Sequence, residues 1–347
     1  MGRLHQPIIF PNSSGDMELE GESTHEGSGA QSPVIVTRNT MIDQILGIFK
    51  SRGVHDLTGE LDSSATPAYP VAVTGLADIY RARLLNGSSV ALKCLRVLSW
   101  GDAPDKSLKE ISRELYTWSK CKHPNVLELI GISQFRGQIA LISPWMMKGS
   151  LVNFLRNEPN VSRYELCTQL AGAITYLHDV GIVHGDIKGS NILVSEDCKI
   201  KLGSFENAQI SQNSIQFSVS EETSALSIRW AAPELIMEEN HRATLHTDVY
   251  SLGMTILEII SGSTPYHYLN SEVRVLAAMV RGVLPKRPAQ LANGENLPDV
   301  VWSLLLSCWN VDPPSRPSAS EVWEAMKTLT SATAENDSHV SYIFSPC

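Results

Sequence analysis

His184-Gly185-Asp186-Ile187-Lys188-Gly189-Ser190-Asn191 is the stretch on which the reading of this chain turns. Upstream, Leu166, Leu170, Ile174 and Leu177 recur at helical spacing, so a buried helix leads straight into it. Downstream, Lys199–Leu202 reads as a strand, followed by Ser204-Phe205-Glu206 eighteen residues after Asp186. Further along, apolar periodicity predicts helices over Asp248–Ile260, 298–308 and 319–329.

Before Gly149 the pattern changes. Val71–Val73, Ile79–Leu84 and Ser89–Leu95 read as strands, the last two joined by a turn at Asn86-Gly87. Ser107–Lys122 reads as a helix with Leu108, Ile111, Leu115 and Trp118 on one face, and strands are expected near 127–133 and 138–143. The fold class is therefore α+β: a small β-rich N-terminal lobe, a larger helical C-terminal lobe and a cleft between them. Residues 1–39 are Ser-, Gly- and Glu-rich and are expected to be disordered. Over 40–65 a short helix (Met41, Ile45, Ile48 and Phe49) and a strand at Asp56–Leu61 should precede the main domain, 66–330. The lobes are expected at 66–143 and 147–330, with a tail over 331–347.

Bulk properties narrow the function. With 43% apolar residues the 347-residue chain can bury a sizeable core, and a formal charge of −9 argues against binding nucleic acid or an anionic membrane. The six cysteines are scattered, without metal-ligand spacing, as expected of reduced thiols in the cytosol or nucleus. No run approaches the ~18 apolar residues of a membrane span.

HGDIKGSN resembles the catalytic loop of eukaryotic protein kinases, H-R-D-x-x-x-x-N, and other landmarks follow in order. Val90-Ala91-Leu92-Lys93 resembles the V-A-I-K strand, and Glu114, nine residues before His123-Pro124-Asn125, matches the helix Glu that orients its Lys; Glu110 is the alternative. Ala232-Pro233-Glu234 matches A-P-E, with Arg316 in Pro314-Ser315-Arg316-Pro317 as partner for the Glu. Asp248 matches the Asp that holds the catalytic loop. The wording is closest to tyrosine-kinase-like Ser/Thr kinases, especially fungal sets. The resemblance implies ATP as cofactor and Asp186 as the proton acceptor from a protein hydroxyl, with Lys188 beside it and Asn191 on Mg²⁺. Lys93 would hold the phosphates, oriented by Glu114. Val73, Gly75, Ile79, Ala91 and Leu193 would line the nucleotide, with Ser143 as gatekeeper. The carbonyl of Pro144 and the N–H of Met146 would read the adenine.

Two departures weaken that assignment. The G-x-G-x-x-G positions fall on Ala72, Thr74 and Ala77, leaving only Gly75 nearby, so ATP should bind more weakly than in a typical kinase. Ser204 stands where Asp-Phe-Gly would supply the main magnesium carboxylate, which puts Mg²⁺ binding in doubt. Gly185 replaces the Arg that pairs with a loop phosphate, so phosphorylation within Ser211–Ser227 should exert little control. The expectation is a pseudokinase that scaffolds or regulates protein partners. A weakly active Ser/Thr kinase is the first alternative and a protein-interaction domain without nucleotide the second.

Overall fold

The computed structural model describes residues 8–9, 35–36, 42–65, 67–74, 77–96, 104–210, 226–237, 242–291 and 296–343. The side chains of residues 8–9, 35–36, 42–43, 45, 48, 104–111, 296 and 334–343 fall outside that description. Two compact units result. Met1–Ser119 and Leu129–Trp145 build most of the first, and Lys120–Glu128 with most of the chain after Met146 builds the second.

In the first unit, β1 (Ile8–Ile9) and β2 (Ile35–Val36) form a small antiparallel pair inside the segment expected to lack order. Helix α1 (Ile42–Lys50) then buries Leu46 and Phe49. The predicted stripe omitted Leu46. The main sheet is antiparallel, in the order β3 (Ala72–Val73), β4 (Ala77–Arg83), β5 (Ser89–Leu95), β7 (Gln138–Pro144), β6 (Gly131–Phe135). Gly87, at φ +88, makes the β4–β5 turn, as Asn86-Gly87 predicts. Tyr80, Ala82, Val90, Leu92, Cys94, Ala140 and Ile142 pack with Leu57 into the core on one sheet face. Helix α2 (Pro104–Ser119) starts with Pro in its first turn, where a missing N–H costs nothing, and buries Leu115 and Trp118.

Two expected strands are corrected. Asp56–Leu61 is a 3₁₀ turn at Thr58–Glu60 between single bridges, because the Asp56 carboxylate accepts from the Thr58 N–H and hydroxyl (3.0 and 2.7 Å) and bends the chain. The strand placed near 127–133 runs over Gly131–Phe135, since Leu127 donates its N–H to Leu202 (2.8 Å) in the second unit's own structure.

The second unit is helical. It comprises α3 (Leu151–Asn157), α4 (Arg163–Asp179), the short strands β8 (Ile182–Val183), β9 (Ile192–Val194), β10 (Ile200–Leu202) and β11 (Gln209–Ile210), then α5 (Glu234–Met237), α6 (Leu245–Ser261), α7 (Glu272–Val280), α8 (Asn296–Cys308) and α9 (Ala319–Ile343). The stripe Leu166, Leu170, Ile174 and Leu177 is fully buried, and α4 packs on α6 and α9. Helix α6 is buried along nearly its whole length, from Thr247 to Ile260. It is the post around which the unit forms, and a Thr244/Thr247 capping box fixes its start.

Candidate functional site

The chemistry-bearing residues of the first unit sit on one face of its sheet. Ile79 pairs with Lys93, and Ala91 with Ser143, so these four share the face opposite the apolar core. Lys93 Nζ lies 2.6 Å from Glu114 Oε1 on α2, with only 13% and 4% of the two side chains exposed. A charge pair this far out of water is costly unless both partners stay, so each side chain holds the other in place. Glu110's side chain lies outside the described residues.

The register corrects the placement of Val73. It pairs with Asp78, which puts it on the other sheet face from Ile79, Ala91 and Lys93, 65% exposed; Ala72 shares their face instead. A one-residue step along a strand swaps faces, and only the pairing reveals which residue faces where. Gly75 lies outside the described residues. At its neighbours, Thr74 and Ala77 satisfy each other. Thr74 donates its N–H to the Ala77 carbonyl (2.8 Å), and Ala77 donates its own to Thr74 Oγ1 (3.0 Å). Arg96 fastens the hairpin through Asp78 and the Thr74 carbonyl, both at 2.8 Å. The amides of Thr74 and Ala77 are thus already paired within the hairpin and not free for a phosphate. Pro144, which has no N–H to give the ladder, ends β7, and Met146 is half-buried just beyond.

In the second unit the loop 184–191 is pinned from below. Asp248, buried in the first turn of α6, accepts from the His184 and Gly185 N–H groups (2.7 and 2.9 Å) and lies 3.1 Å from His178 Nε2. His184 donates from Nε2 to the Gly203 carbonyl (2.9 Å) and packs edge-on against buried Phe205. Gly185, at φ +77, could not carry a side chain cheaply, since a Cβ would come within 2.9 Å of the Asn207 carbonyl. Above this base Asp186, Lys188 and Asn191 converge. Lys188 Nζ is 2.8 Å from Asp186 Oδ2, and Asn191 Nδ2 donates to both that oxygen and the Asp186 carbonyl (2.8 Å each). Leu193, half-buried in β9, faces Lys201.

Ser204 adopts the left-handed region (φ 62°, ψ 71°) and Phe205 after it begins a buried 3₁₀ turn. The backbone bend is formed, but a serine hydroxyl occupies it. Among the described residues no group of three or more His, Cys, Asp or Glu side chains could hold a metal ion. At the position where the family places a metal carboxylate, Ser204 offers Mg²⁺ a hydroxyl, a weaker donor, beside the amide oxygen of Asn191.

Contacts at three acceptors escaped the sequence. Ser227 Oγ accepts from Lys188 (2.7 Å), and buried Glu258 accepts from the Gly189 N–H and Trp230 Nε1 (2.9 Å each). Desolvation pushes the Glu258 carboxyl above the usual carboxylate range. His178 on Asp248 is the third. Their partners are 28 to 70 residues away, so no local pattern announces them. The pair Glu234–Arg316 forms as expected, at 2.6 and 2.9 Å.

His123 carries a pH prediction. Its ring stacks on Tyr176, and its Nδ1 accepts the Asn125 N–H at 3.1 Å, which requires that nitrogen unprotonated. Burial, with Lys201 nearby, lowers its pKa. The folded state thus prefers the neutral ring. Its contribution should be complete above the unfolded pKa of roughly 6.5 and be lost as pH falls through the lowered folded value. Urea midpoints between pH 7.5 and 5 should show this limb, and His123→Asn, which keeps an acceptor for Asn125, should flatten it.

A family model described as protein tyrosine and serine/threonine kinase matches residues 74–326. The chain belongs to that family. The serine/threonine-protein kinase STY17 of Arabidopsis thaliana is 29% identical over 67% of this chain and STY46 of the same plant 25% over 77%; the chain spans 39% and 44% of their lengths. The tyrosine-protein kinase SRK3 of Spongilla lacustris is 30% identical over 72% of this chain and 70% of its own. The two units are the β-sheet N-lobe and helical C-lobe of this kinase domain. No described helix is long and apolar enough to cross a membrane.

Proposed function

We propose that this kinase domain works as a pseudokinase of the Ser/Thr, tyrosine-kinase-like type. It binds ATP weakly and without a productive magnesium ion, and serves cytoplasmic protein partners as a scaffold or allosteric subunit. The observation that carries this reading is Ser204. A hydroxyl sits at a preformed left-handed bend in an otherwise preserved frame, so the loss concerns the metal and not the fold. The internally paired Thr74–Ala77 hairpin supports weak phosphate binding. In this reading Lys93, held by Glu114, meets the phosphates, while Ile79, Ala91, Ser143, Pro144, Met146 and Leu193 receive the base. Magnesium, where a kinase holds it, neutralises the transferring phosphoryl group.

A second reading, a slow Ser/Thr kinase acting on protein hydroxyls, is favoured by one arrangement. Asp186 is oriented by Asn191 and accompanied by Lys188, as a general base with a charge beside it would be. A thermal-shift titration with ATP, with and without Mg²⁺, separates the two. ATP at ~100 times its dissociation constant should stabilise the protein by ~2.7 kcal/mol, a shift of several degrees. The expected shift is the same in the presence of EDTA. A shift that requires Mg²⁺ would favour the second reading, and none at saturating ATP would remove nucleotide from the proposal.

A further inference from the structure

A ligand that ends in phosphates needs amide N–H groups turned toward its oxygens and positive charge beside them. The turn that joins β3 to β4 spends both on itself. Thr74 donates its N–H to the Ala77 carbonyl (2.8 Å). Its Oγ1 accepts from the Ala77 N–H at 3.0 Å and donates to the same carbonyl at 3.1 Å. For the Ala77 amide, the threonine hydroxyl stands where an anion's oxygen would sit. Ala77 itself is fully buried, so the root of the turn is fixed by packing as well.

Arg96 brings the charge, and it too is engaged. Its Nη2 donates to the Thr74 carbonyl and to Asp78 Oδ1 (2.8 Å each), and its Nε to the same carboxylate oxygen at 3.2 Å. Asp78 pairs with Val73 and with Cys94, which puts this ion pair on the sheet face away from Ile79, Ala91 and Lys93. The guanidinium therefore latches the turn from the far side. Hydrogen bonds to charged groups are the stronger kind, so the latch keeps Thr74 in place. The part of the face that would meet an uncharged ring carries no such closure. Ala91 and Ser143 pair directly across β5 and β7, with Ile79 diagonal to Ala91 on β4. Two small side chains beside a branched apolar one give a flat ring a surface to lie on.

We infer that this site takes its ligand by the ring end. An uncharged purine nucleoside binds as well as the triphosphate, and Thr74, latched by Arg96 and Asp78, is the residue that sets this preference. The inference rests on the nucleotide-binding part of the reading above and names the ligand class it favours. A phosphate that reaches the turn must displace a hydroxyl whose hydrogen bonds are already made, so what is gained there is offset by what is lost.

The test is titration calorimetry on the full chain in EDTA with adenosine, AMP, ADP and ATP. Dissociation constants across the series should agree within about threefold. Thr74→Val removes the hydroxyl and frees the Ala77 N–H. It should tighten ATP about tenfold, the equivalent of about 1.4 kcal/mol, and leave adenosine within about twofold. Asp78→Asn, which loosens the latch, should move the ATP-to-adenosine ratio the same way by a smaller factor. A merely structural role would shift both ligands together, and that result overturns the part given to Thr74. Wild-type binding of ATP about ten times or more tighter than adenosine overturns the inference while nucleotide binding stands. If neither ligand binds at millimolar concentration, the nucleotide reading falls and this inference falls with it.

Discussion

Replacing Ser204 with aspartate should raise magnesium-dependent phosphotransfer to a generic basic protein by roughly two to four orders of magnitude. The backbone already has the form a metal carboxylate needs. Ser204 lies in the left-handed region, which aspartate tolerates better than most residues, so the substitution should meet little strain. Asn191 is held by two bonds from its Nδ2 to Asp186, leaving its amide oxygen as the second metal donor. A carboxylate next to it would turn a poor donor set into one that Mg²⁺ accepts. The same substitution should make the ATP thermal shift metal-dependent. Asp186→Asn in that background should return transfer to the starting level, since no proton acceptor remains. If the wild type already transfers phosphate, Asp186→Asn abolishes it and Ser204→Asp adds nothing, the domain is a working kinase and the pseudokinase reading is wrong.

Arg316→Ala should be the most destabilising single change in the helical unit, by about 3 kcal/mol, because it leaves the largely covered Glu234 carboxylate without its partner. The guanidinium is fully buried (0% exposed), forks onto Glu234 at 2.6 and 2.9 Å, and donates to the carbonyls of His246 (3.0 Å) and Asn310 (2.9 Å). It also lies over the Tyr250 ring. One side chain thus joins the first residue of α5, the start of α6 and the turn before α9. Lysine cannot reproduce a planar fork with five donors, so Arg316→Lys should recover only a small part. At ~2–4 °C per kcal/mol the melting temperature should fall by about 10 °C. Scanning calorimetry checks it; a fall below about 2 °C would mean that the pair stabilises little and the surrounding packing carries the unit.

Much of this was legible in the residues themselves. Asp186, Lys188 and Asn191 lie within six positions and must come together once the loop forms. Asp248 and Glu234 were readable because their motifs carry them, and both made the expected contacts, with the loop backbone and with Arg316. Glu114 was chosen over Glu110 by its distance from His123-Pro124-Asn125, and Lys93 meets it at 2.6 Å. Val73 was not legible, since strand register is set by partners and not by the strand. Leu46 was not legible either, because a nine-residue helix offers too little periodicity to define its face. Asp56–Leu61 reads as a strand from its residues but folds as a 3₁₀ turn, because Asp56 and Thr58 bond each other.

The amino-acid sequence by itself determined the family, the order of β-rich and helical lobes, and the loss of a magnesium carboxylate at position 204. These depend on residue identity and on spacing along the chain, which folding cannot alter. Only the tertiary structure decided which sheet face Val73 takes, that Lys188 meets Ser227, that Glu258 anchors Gly189, and that residues 42–68 lie against the first unit's sheet. Each of these joins groups far apart in the chain. Their meeting is fixed by the packing of whole elements, with buried polar groups taking whatever partner that packing brings within reach.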